Sequence, residues 1–271
     1  MVRNGSGEGS GDKEMLMGYP NGLFGWADVA VPDTDQAGTF YAKLFGWETV
    51  EPPAGDSMPY TMFTLDGQPV AGMGRLRPED VEAGRPPIWS SYIIVDDVDA
   101  VAAKAKELGA TLVMEPTEIP EAGKMFFAVD PVGAAIGFWQ AGTHDGAGVF
   151  NVAGAMTWNE LACRDVEAAK AFYAGLLGWG IDVQDHDGFI YTVVSVEDRS
   201  NGGIYDATAM LPDGIPAHWF VWFAAESVDE TVDLARSLGA TIEREPWDTT
   251  FGRMAVISDP QGPTFGVVKA P

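Results

Sequence analysis

The chain has 271 residues, and 46% of them are apolar, which is enough to bury the cores of two ordinary domains. Asp and Glu number 40 against 16 Lys and Arg, a formal net charge of -24 that disfavours nucleic acid and anionic membranes as partners. No segment approaches the roughly eighteen unbroken apolar residues of a membrane span. The single cysteine, Cys163, excludes a disulfide framework and a cysteine-rich metal site, and favours a cytoplasmic location.

Composition divides the chain into four parts. Residues 1–22 are rich in Gly, Ser and charge and lack the order of a signal peptide, so they are predicted to form a flexible N-terminal arm. Residues 23–141 and 154–271 have the patterning of folded domains. Between them, residues 142–153 (GTHDGAGVFNVA) are small and Gly-rich, which is typical of a linker.

Each predicted domain contains two repeats, called A and B, and each repeat has a counterpart in the other domain. Residues 26–47 match residues 158–179 without a gap, at roughly half of the positions. A second pair, residues 89–116 and 219–246, shares a helix ending in Leu-Gly-Ala-Thr and a following Glu-Pro, and both members continue into an Asp-Pro-x-Gly turn. The order of repeats is therefore A-B-A′-B′.

Each repeat is predicted to be a βαβββ unit, a strand followed by a helix and three strands. Helix starts are predicted at the capping residues Asp33, Asp97, Asp165 and Ser227. Helix ends are predicted at Gly46, Gly109, Gly178 and Gly239. Turn-bounded strands are predicted at about 23–31, 60–65, 68–73, 125–129, 134–139, 157–163, 191–196, 254–257 and 263–268.

The first strand of each A repeat separates into two faces, because alternate side chains of a strand point to opposite sides. One face is apolar and is predicted to pack on the helices: Val29 and Val31, with counterparts Leu161 and Cys163. The other face carries Trp26 and Asp28 in the first domain and Trp158 and Glu160 in the second. An aromatic ring beside a carboxylate suits the wall of a ligand cavity.

The first strands of the B repeats add further aromatic residues to this second face. Candidate ligand-binding residues are therefore Trp26, Ser90, Tyr92, Trp158, Phe220 and Trp222. Phe220 and Trp222 are larger than their counterparts Ser90 and Tyr92, so the second cavity is expected to be the smaller.

Three residues are candidates for catalysis. Asp28 and Glu160 occupy equivalent positions, and a dry aromatic cavity would raise their pKa toward a range useful for proton transfer. The alternative is structural, each carboxylate hydrogen-bonding a neighbouring strand or loop. His218 is a candidate proton shuttle or ligand anchor, although a histidine at a strand start is more often merely half-exposed.

The paired βαβββ units, the alanine-rich helix with Phe-Tyr, its exit in Gly-Trp and the Asp-Pro-x-Gly turn resemble the vicinal oxygen chelate superfamily. That group includes glyoxalase I, extradiol dioxygenases, and bleomycin- and fosfomycin-resistance proteins. The resemblance covers nearly all of residues 23–269. It implies an α+β fold of two glyoxalase/bleomycin-resistance-like domains, each a curved mixed sheet around a cavity with its helices outside.

The resemblance also implies where a metal ion would bind. Metal enzymes of the family take His, Gln or Glu from first strands and Glu from the last strand of a unit. The corresponding positions here are Trp26, Ser90, Trp158, Phe220, Gly137 and Gly266. Imidazole and carboxylate are the side chains such metals prefer, so neither a metal site nor another cofactor is expected.

Two functions remain in competition, a binding role and an enzymatic role, beside a third possibility, a purely structural partner protein whose cavities are filled. The first is metal-independent binding of a small aromatic or hydrophobic metabolite or antibiotic, as in a sequestering resistance protein. The alternative is a metal-independent tailoring enzyme of secondary metabolism, an isomerase, cyclase or hydrolase that uses Asp28 or Glu160 as general acid or base. The expected state is a monomer, its two domains forming an internal pseudo-dimer, or a homodimer.

Overall fold

A computed structural model describes residues 19–50, 60–212 and 214–270. Most of the predicted arm, residues 1–18, lies outside this part of the chain. The described residues form two eight-stranded sheets and five helices, so the α+β prediction is confirmed. None of the helices in these ranges is long and apolar enough to cross a membrane.

The first sheet and three helices precede residue 142. The strands are β1 (Phe24–Val31), β2 (Glu48–Val50), β3 (Tyr60–Leu65), β4 (Gln68–Arg75), β5 (Ile88–Ile94), β6 (Thr111–Ile119), β7 (Gly123–Val129) and β8 (Ala135–Ala141). The helices are α1 (Thr34–Phe45), α2 (Pro78–Glu82) and α3 (Val98–Glu107).

The second sheet and two helices follow residue 155. The strands are β9 (Met156–Cys163), β10 (Gly180–His186), β11 (Phe189–Val196), β12 (Arg199–Asp206), β13 (His218–Ala224), β14 (Thr241–Thr249), β15 (Gly252–Ser258) and β16 (Thr264–Lys269). The helices are α4 (Val166–Leu177) and α5 (Val228–Ser237).

The two sheets have the same strand order. The first is β2-β3-β4-β1-β5-β8-β7-β6 and the second is β10-β11-β12-β9-β13-β16-β15-β14. In each, the first strands of the A and B repeats lie antiparallel at the centre, so Asp28 stands opposite Ser90 and Glu160 opposite Phe220. The predicted arrangement of four βαβββ units is confirmed.

The predicted caps explain where the four longer helices begin. The side chains of Asp33, Asp97, Asp165 and Ser227 all accept hydrogen bonds from backbone N–H groups of the following first turn. These bonds satisfy donors that have no partner inside the helix. Gly46 and Gly178 end α1 and α4 in the left-handed conformation, with φ of 73° and 72°.

Several edge elements were not located from the sequence. β6, β10 and β14 lie at sheet edges and have long runs of exposed or half-buried residues, so their apolar alternation is weak. No bounds were predicted for the internal strand β12, because its centre contains Gly202 and Gly203, which also suit a tight turn between strands.

The buried cores combine elements of both domains, which the sequence analysis did not foresee. Phe40 and Tyr41 of α1 belong to one cluster with Phe223 of the second domain. Phe172 of α4 belongs to another with Phe126 of the first domain. The central strands also meet directly, where the Ser91 hydroxyl donates to Asn159 Oδ1 at 2.6 Å.

Two equivalent hydrogen-bond networks join the domains inside these cores. The Tyr173 hydroxyl donates to Asp130 Oδ2 at 2.8 Å and accepts from Trp219 Nε1 at 2.7 Å. Likewise, the Tyr41 hydroxyl donates to Asp259 Oδ2 at 2.8 Å and accepts from the Trp89 indole at 2.9 Å. Each aspartate belongs to an Asp-Pro-x-Gly turn, so the Phe-Tyr motif of one domain binds the turn motif of the other.

Candidate functional site

The candidate site residues divide between two equivalent networks, one in each sheet on the face away from the helices. In the second domain the Glu160 carboxylate accepts from the Tyr191 hydroxyl at 2.7 Å through Oε1 and from Trp222 Nε1 at 2.8 Å through Oε2. Trp158 Nε1 donates to the Tyr191 oxygen at 2.7 Å. The two tryptophans, the tyrosine and the glutamate form one connected network.

The first domain has the same network with a different second donor. Asp28 Oδ2 accepts from the Tyr92 hydroxyl at 2.7 Å and from the Tyr60 hydroxyl at 3.2 Å. Trp26 Nε1 donates to the Tyr60 oxygen at 2.9 Å. The structure therefore brings Trp26, Asp28 and Tyr92 together, and separately Trp158, Glu160 and Trp222.

Glycines in neighbouring strands make room for these rings. A Cβ on Gly203 would overlap the Tyr191 hydroxyl, and a Cβ on Gly266 would overlap the Trp222 indole. Gly72 and Gly137 stand in the same relation to Tyr60 and Tyr92 of the first domain. The rings thus lie flat against strand backbone, which is the close approach that glycine in a strand permits.

Burial changes the acidity of both carboxyl groups. Loss of hydration raises the pKa of Asp28 to about 6, although the two tyrosine hydroxyls act against the shift. Burial likewise raises the pKa of Glu160 above its usual value, opposed by the bonds from Tyr191 and Trp222. Both groups therefore stay protonated to a higher pH than an exposed carboxyl group.

A cavity of about 700 Å³ opens beside Glu160 on this face of the second sheet. Its lining residues are Thr157, Trp158, Glu160, Asp182, Gln184, Tyr191, Val193, Ser195, Glu197, Asp198, Ser200, Thr250, Phe251, Met254, Val268 and Ala270. The volume lies within the range of about 300–1,000 Å³ found for small-molecule sites. The lining combines aromatic and aliphatic side chains with hydroxyl, carboxylate and amide groups.

Two of the predicted ligand-binding residues do not line this cavity. The larger side chains Phe220 and Trp222 were expected to shrink the second cavity, yet neither is among its lining residues. Trp222 is buried, with 4% of its surface exposed, because Gly266 lets it lie against the sheet. Its bulk therefore fills the floor beneath the cavity rather than the cavity itself.

The corresponding face of the first domain is covered by the segment that joins the domains. Trp26 is 4% exposed, and its ring meets the edge of His144 at 4.5 Å between centroids. Trp139 Nε1 donates to the His144 carbonyl at 2.8 Å, and the Tyr19 hydroxyl donates to the Ala147 carbonyl. Burial lowers the pKa of His144 to about 4, so its ring is neutral near pH 7.

The other predicted site residues lie at the margins of the two networks. Ser90 stands beside Asp28 and Phe220 beside Glu160 in the strand ladders, and the Phe220 ring contacts Trp222 edge-on at 5.4 Å. His218 begins β13, with Nδ1 3.1 Å from the Pro216 carbonyl, and it is not one of the cavity-lining residues.

Sequence reasoning missed the tyrosines that bind the two carboxylates. Tyr60 is the first residue of β3 and Tyr191 the third of β11. Each begins a Tyr-Thr pair, a repeat that a longer comparison of the halves would have found. It also missed Phe251 and Met254, which reach the cavity from β15 and the turn before it. No local pattern marks those two residues.

The donor set does not fit the metal ion that the family resemblance implies. Two last-strand positions are glycines covered by the rings of Tyr92 and Trp222, and the first-strand positions carry Trp26, Ser90, Trp158 and Phe220. Within the described ranges, no three His, Cys, Asp or Glu side chains are grouped so that they could hold a metal.

Comparisons with known proteins agree with this fold. The sequence profile of the Glyoxalase/Bleomycin resistance protein/Dioxygenase superfamily matches residues 23–138 and 155–267. A Mycobacterium tuberculosis protein with the provisional name glyoxylase CFP32 is 40% identical over 254 residues, covering 93% of this chain and 96% of its own. The Streptomyces peucetius anthracycline biosynthesis protein DnrV is 33% identical over 264 residues, covering 93% and 94%.

Solved structures resemble the chain in fold alone. The Mn(II)-bound glyoxalase from Novosphingobium aromaticivorans has a TM-score of 0.63 at 18% identity, covering 92% of this chain and 82% of its own. The 2,3-dioxygenase LapB from Pseudomonas sp. KL28 has a TM-score of 0.64 at 16% identity, covering 92% and 93%.

The molecule is thus a tandem protein of two eight-stranded α+β domains, each with a partly buried, hydrogen-bonded carboxylate on the face away from its helices. The chain belongs to the glyoxalase/bleomycin resistance protein/dioxygenase superfamily, the group that its sequence resembles.

Proposed function

We propose that this chain binds a small aromatic or hydrophobic metabolite or antibiotic in the second-domain cavity without using a metal ion. The observation that carries the proposal is the 700 Å³ cavity with Trp158, Phe251 and Met254 in its wall and the partly buried carboxylate of Glu160 at its base. Small-molecule sites typically combine aromatic and aliphatic side chains with polar groups that fix the orientation of the ligand. The likeness to an anthracycline biosynthesis protein supports a role in secondary metabolism.

Trp158 offers the clearest test of this proposal, because its ring lines the cavity. With 2-naphthol as the probe, we expect Trp158→Ala to weaken binding by about tenfold, since one aromatic contact contributes about 1 kcal/mol beyond its buried area. Isothermal titration calorimetry measures the affinity. Trp26→Ala is the matched control, since Trp26 holds the equivalent position in the first domain.

Unchanged binding in both variants would overturn the proposed site. A selective loss in Trp26→Ala would move the site to the first domain. Thermal unfolding of each variant establishes that it is folded before the titration is interpreted.

A second candidate function, catalysis by Glu160, is favoured by one specific observation. This carboxyl group lines the cavity and burial raises its pKa, which suits a general acid or base acting near neutral pH. Mass spectrometry of a bound aromatic compound after incubation separates the two functions, because only an enzyme changes the compound. Any turnover is expected to be lost in Glu160→Gln and retained in Asp28→Asn.

A further inference from the structure

The cavity floor has all of its indole and phenol donors engaged within the protein. Trp158 N–H is directed at the Tyr191 oxygen, Tyr191 O–H at Glu160 Oε1, and Trp222 N–H at Glu160 Oε2. A ligand acceptor that reaches this network therefore finds none of these three hydrogens available.

The Glu160 carboxylate, in contrast, can still accept hydrogen bonds from a ligand. An ionised carboxylate has about four lone-pair sites, and the two protein bonds to Glu160 leave about two of them. Glu160 lines the cavity and is only partly buried, so the remaining sites can be reached by a ligand. A group that donates a hydrogen bond fits this position, and a bare acceptor does not.

The charges around the cavity also disfavour ligands that only accept hydrogen bonds and carry negative charge. The lining residues include the carboxylates of Glu160, Asp182, Glu197 and Asp198, and no Lys, Arg or His is among those that the structure describes. Gln184, the one side-chain amide among the described lining residues, donates to Asp182 Oδ2 at 2.7 Å. An anionic ligand would meet like charges here without a compensating cation.

We propose that the second-domain cavity selects aromatic ligands that carry a hydrogen-bond donor, such as a hydroxyl or an amino group, and rejects aromatic carboxylates, with Glu160 as the specificity-determining residue. This inference rests on the proposed binding function. It adds the chemical class of the ligand and the residue that accepts the ligand's hydrogen bond.

Three naphthalenes that share one ring system test the proposal in the full-length protein. They are 2-naphthol, which donates a hydrogen bond, 2-methoxynaphthalene, which only accepts one, and the anion 2-naphthoate. At pH 7 we expect 2-naphthol to bind at least about tenfold tighter than the methyl ether, because a hydrogen bond to a charged group is worth roughly that much. The carboxylate should bind most weakly.

Substitution of Glu160 tests the assigned residue. In Glu160→Gln the amide nitrogen replaces one acceptor with a donor, so the preference for 2-naphthol over its ether should disappear or reverse. Asp28→Asn, the same change of chemistry in the first domain, should leave the preference intact. If Glu160→Gln fails to fold, lowering the pH in the wild-type protein serves instead, because protonation of Glu160 removes acceptor sites and should shrink the same preference.

The outcomes separate the two proposals. Equal binding of the alcohol and the ether, or tighter binding of the carboxylate, would overturn the donor preference while the binding function stands. Failure of all three compounds to bind would overturn the proposed binding function and the preference together. Loss of the preference in Asp28→Asn alone would move the specificity residue to the first domain.

Discussion

Single buried hydroxyl groups connect the two halves of this molecule. Tyr173 is fully buried, and its hydroxyl donates a hydrogen bond to Asp130 Oδ2. The other carboxylate oxygen of Asp130 accepts hydrogen bonds from the backbone N–H groups of Val132 and Ala134. Because burial raises the pKa of Asp130, its charged form depends on these hydrogen bonds. The Tyr173 hydroxyl therefore stabilises the folded state by stabilising the charged form of Asp130.

We predict that Tyr173→Phe lowers the free energy of unfolding by about 2–4 kcal/mol, since it leaves Asp130 Oδ2 and the Trp219 N–H buried without their partner. Urea denaturation measures the loss. Tyr205→Phe is the control, because Tyr205 is only half-buried and its hydroxyl forms no hydrogen bond to another residue that the structure describes. Equal effects of the two substitutions would contradict the importance of the interdomain bond.

At the scale of elements, the two sites depend on strands that allow rings to lie across them. β12 runs beside β9 with Gly203 opposite Glu160, and Tyr191 crosses this glycine from β11 to reach the carboxylate. A larger residue in β12 would move Tyr191 away. The glycine belongs to the architecture of the site although it contributes no functional group.

Gly203→Ala is therefore expected to destabilise the protein by about 1–3 kcal/mol, the usual cost of overpacking, and to weaken binding of 2-naphthol. The control is Gly175→Ala in α4, where an added methyl group would lie 3.5 Å from Leu108 in ordinary contact. That change should be neutral or stabilise by up to about 1 kcal/mol, because alanine favours a helix over glycine. A stable Gly203→Ala protein with unchanged binding of 2-naphthol would show that Tyr191 does not require the space above Gly203.

At the scale of the whole molecule, the two largest buried cores each combine residues of both domains. α1 lies against α5, and α3 against α4, so these two helices of the first domain each pack on a helix of the second. The central strands of the two sheets are also in contact. Separating the domains would expose apolar surface that the folded chain buries, and hydrophobic burial is the largest stabilising contribution to folding.

We expect differential scanning calorimetry to record one cooperative unfolding transition for the full-length chain, with equal calorimetric and van't Hoff enthalpies. The Tyr173→Phe substitution should shift that whole transition to lower temperature. Two resolved transitions, with only one of them moved by the substitution, would show that the domains unfold independently.

Much of the fold could be predicted because its signals are local. The match between residues 26–47 and 158–179, the four capping side chains and the alternation within β1 and β9 need only neighbouring residues to be recognised. Edge strands such as β10 and β14 could not be located, because strands exposed on both faces carry little hydrophobic pattern.

The sequence by itself determined the number and order of the βαβββ units, and it placed Asp28 and Glu160 on the face away from the helices. Strand alternation and helix capping act over a few residues, so both conclusions needed no knowledge of the rest of the chain. Only the tertiary structure decided that Tyr60 and Tyr191 bind those carboxylates, that Gly266 lets Trp222 lie flat, and that the segment before Phe150 covers the first domain. These contacts join residues far apart in the chain, and their existence depends on how the sheets and cores pack.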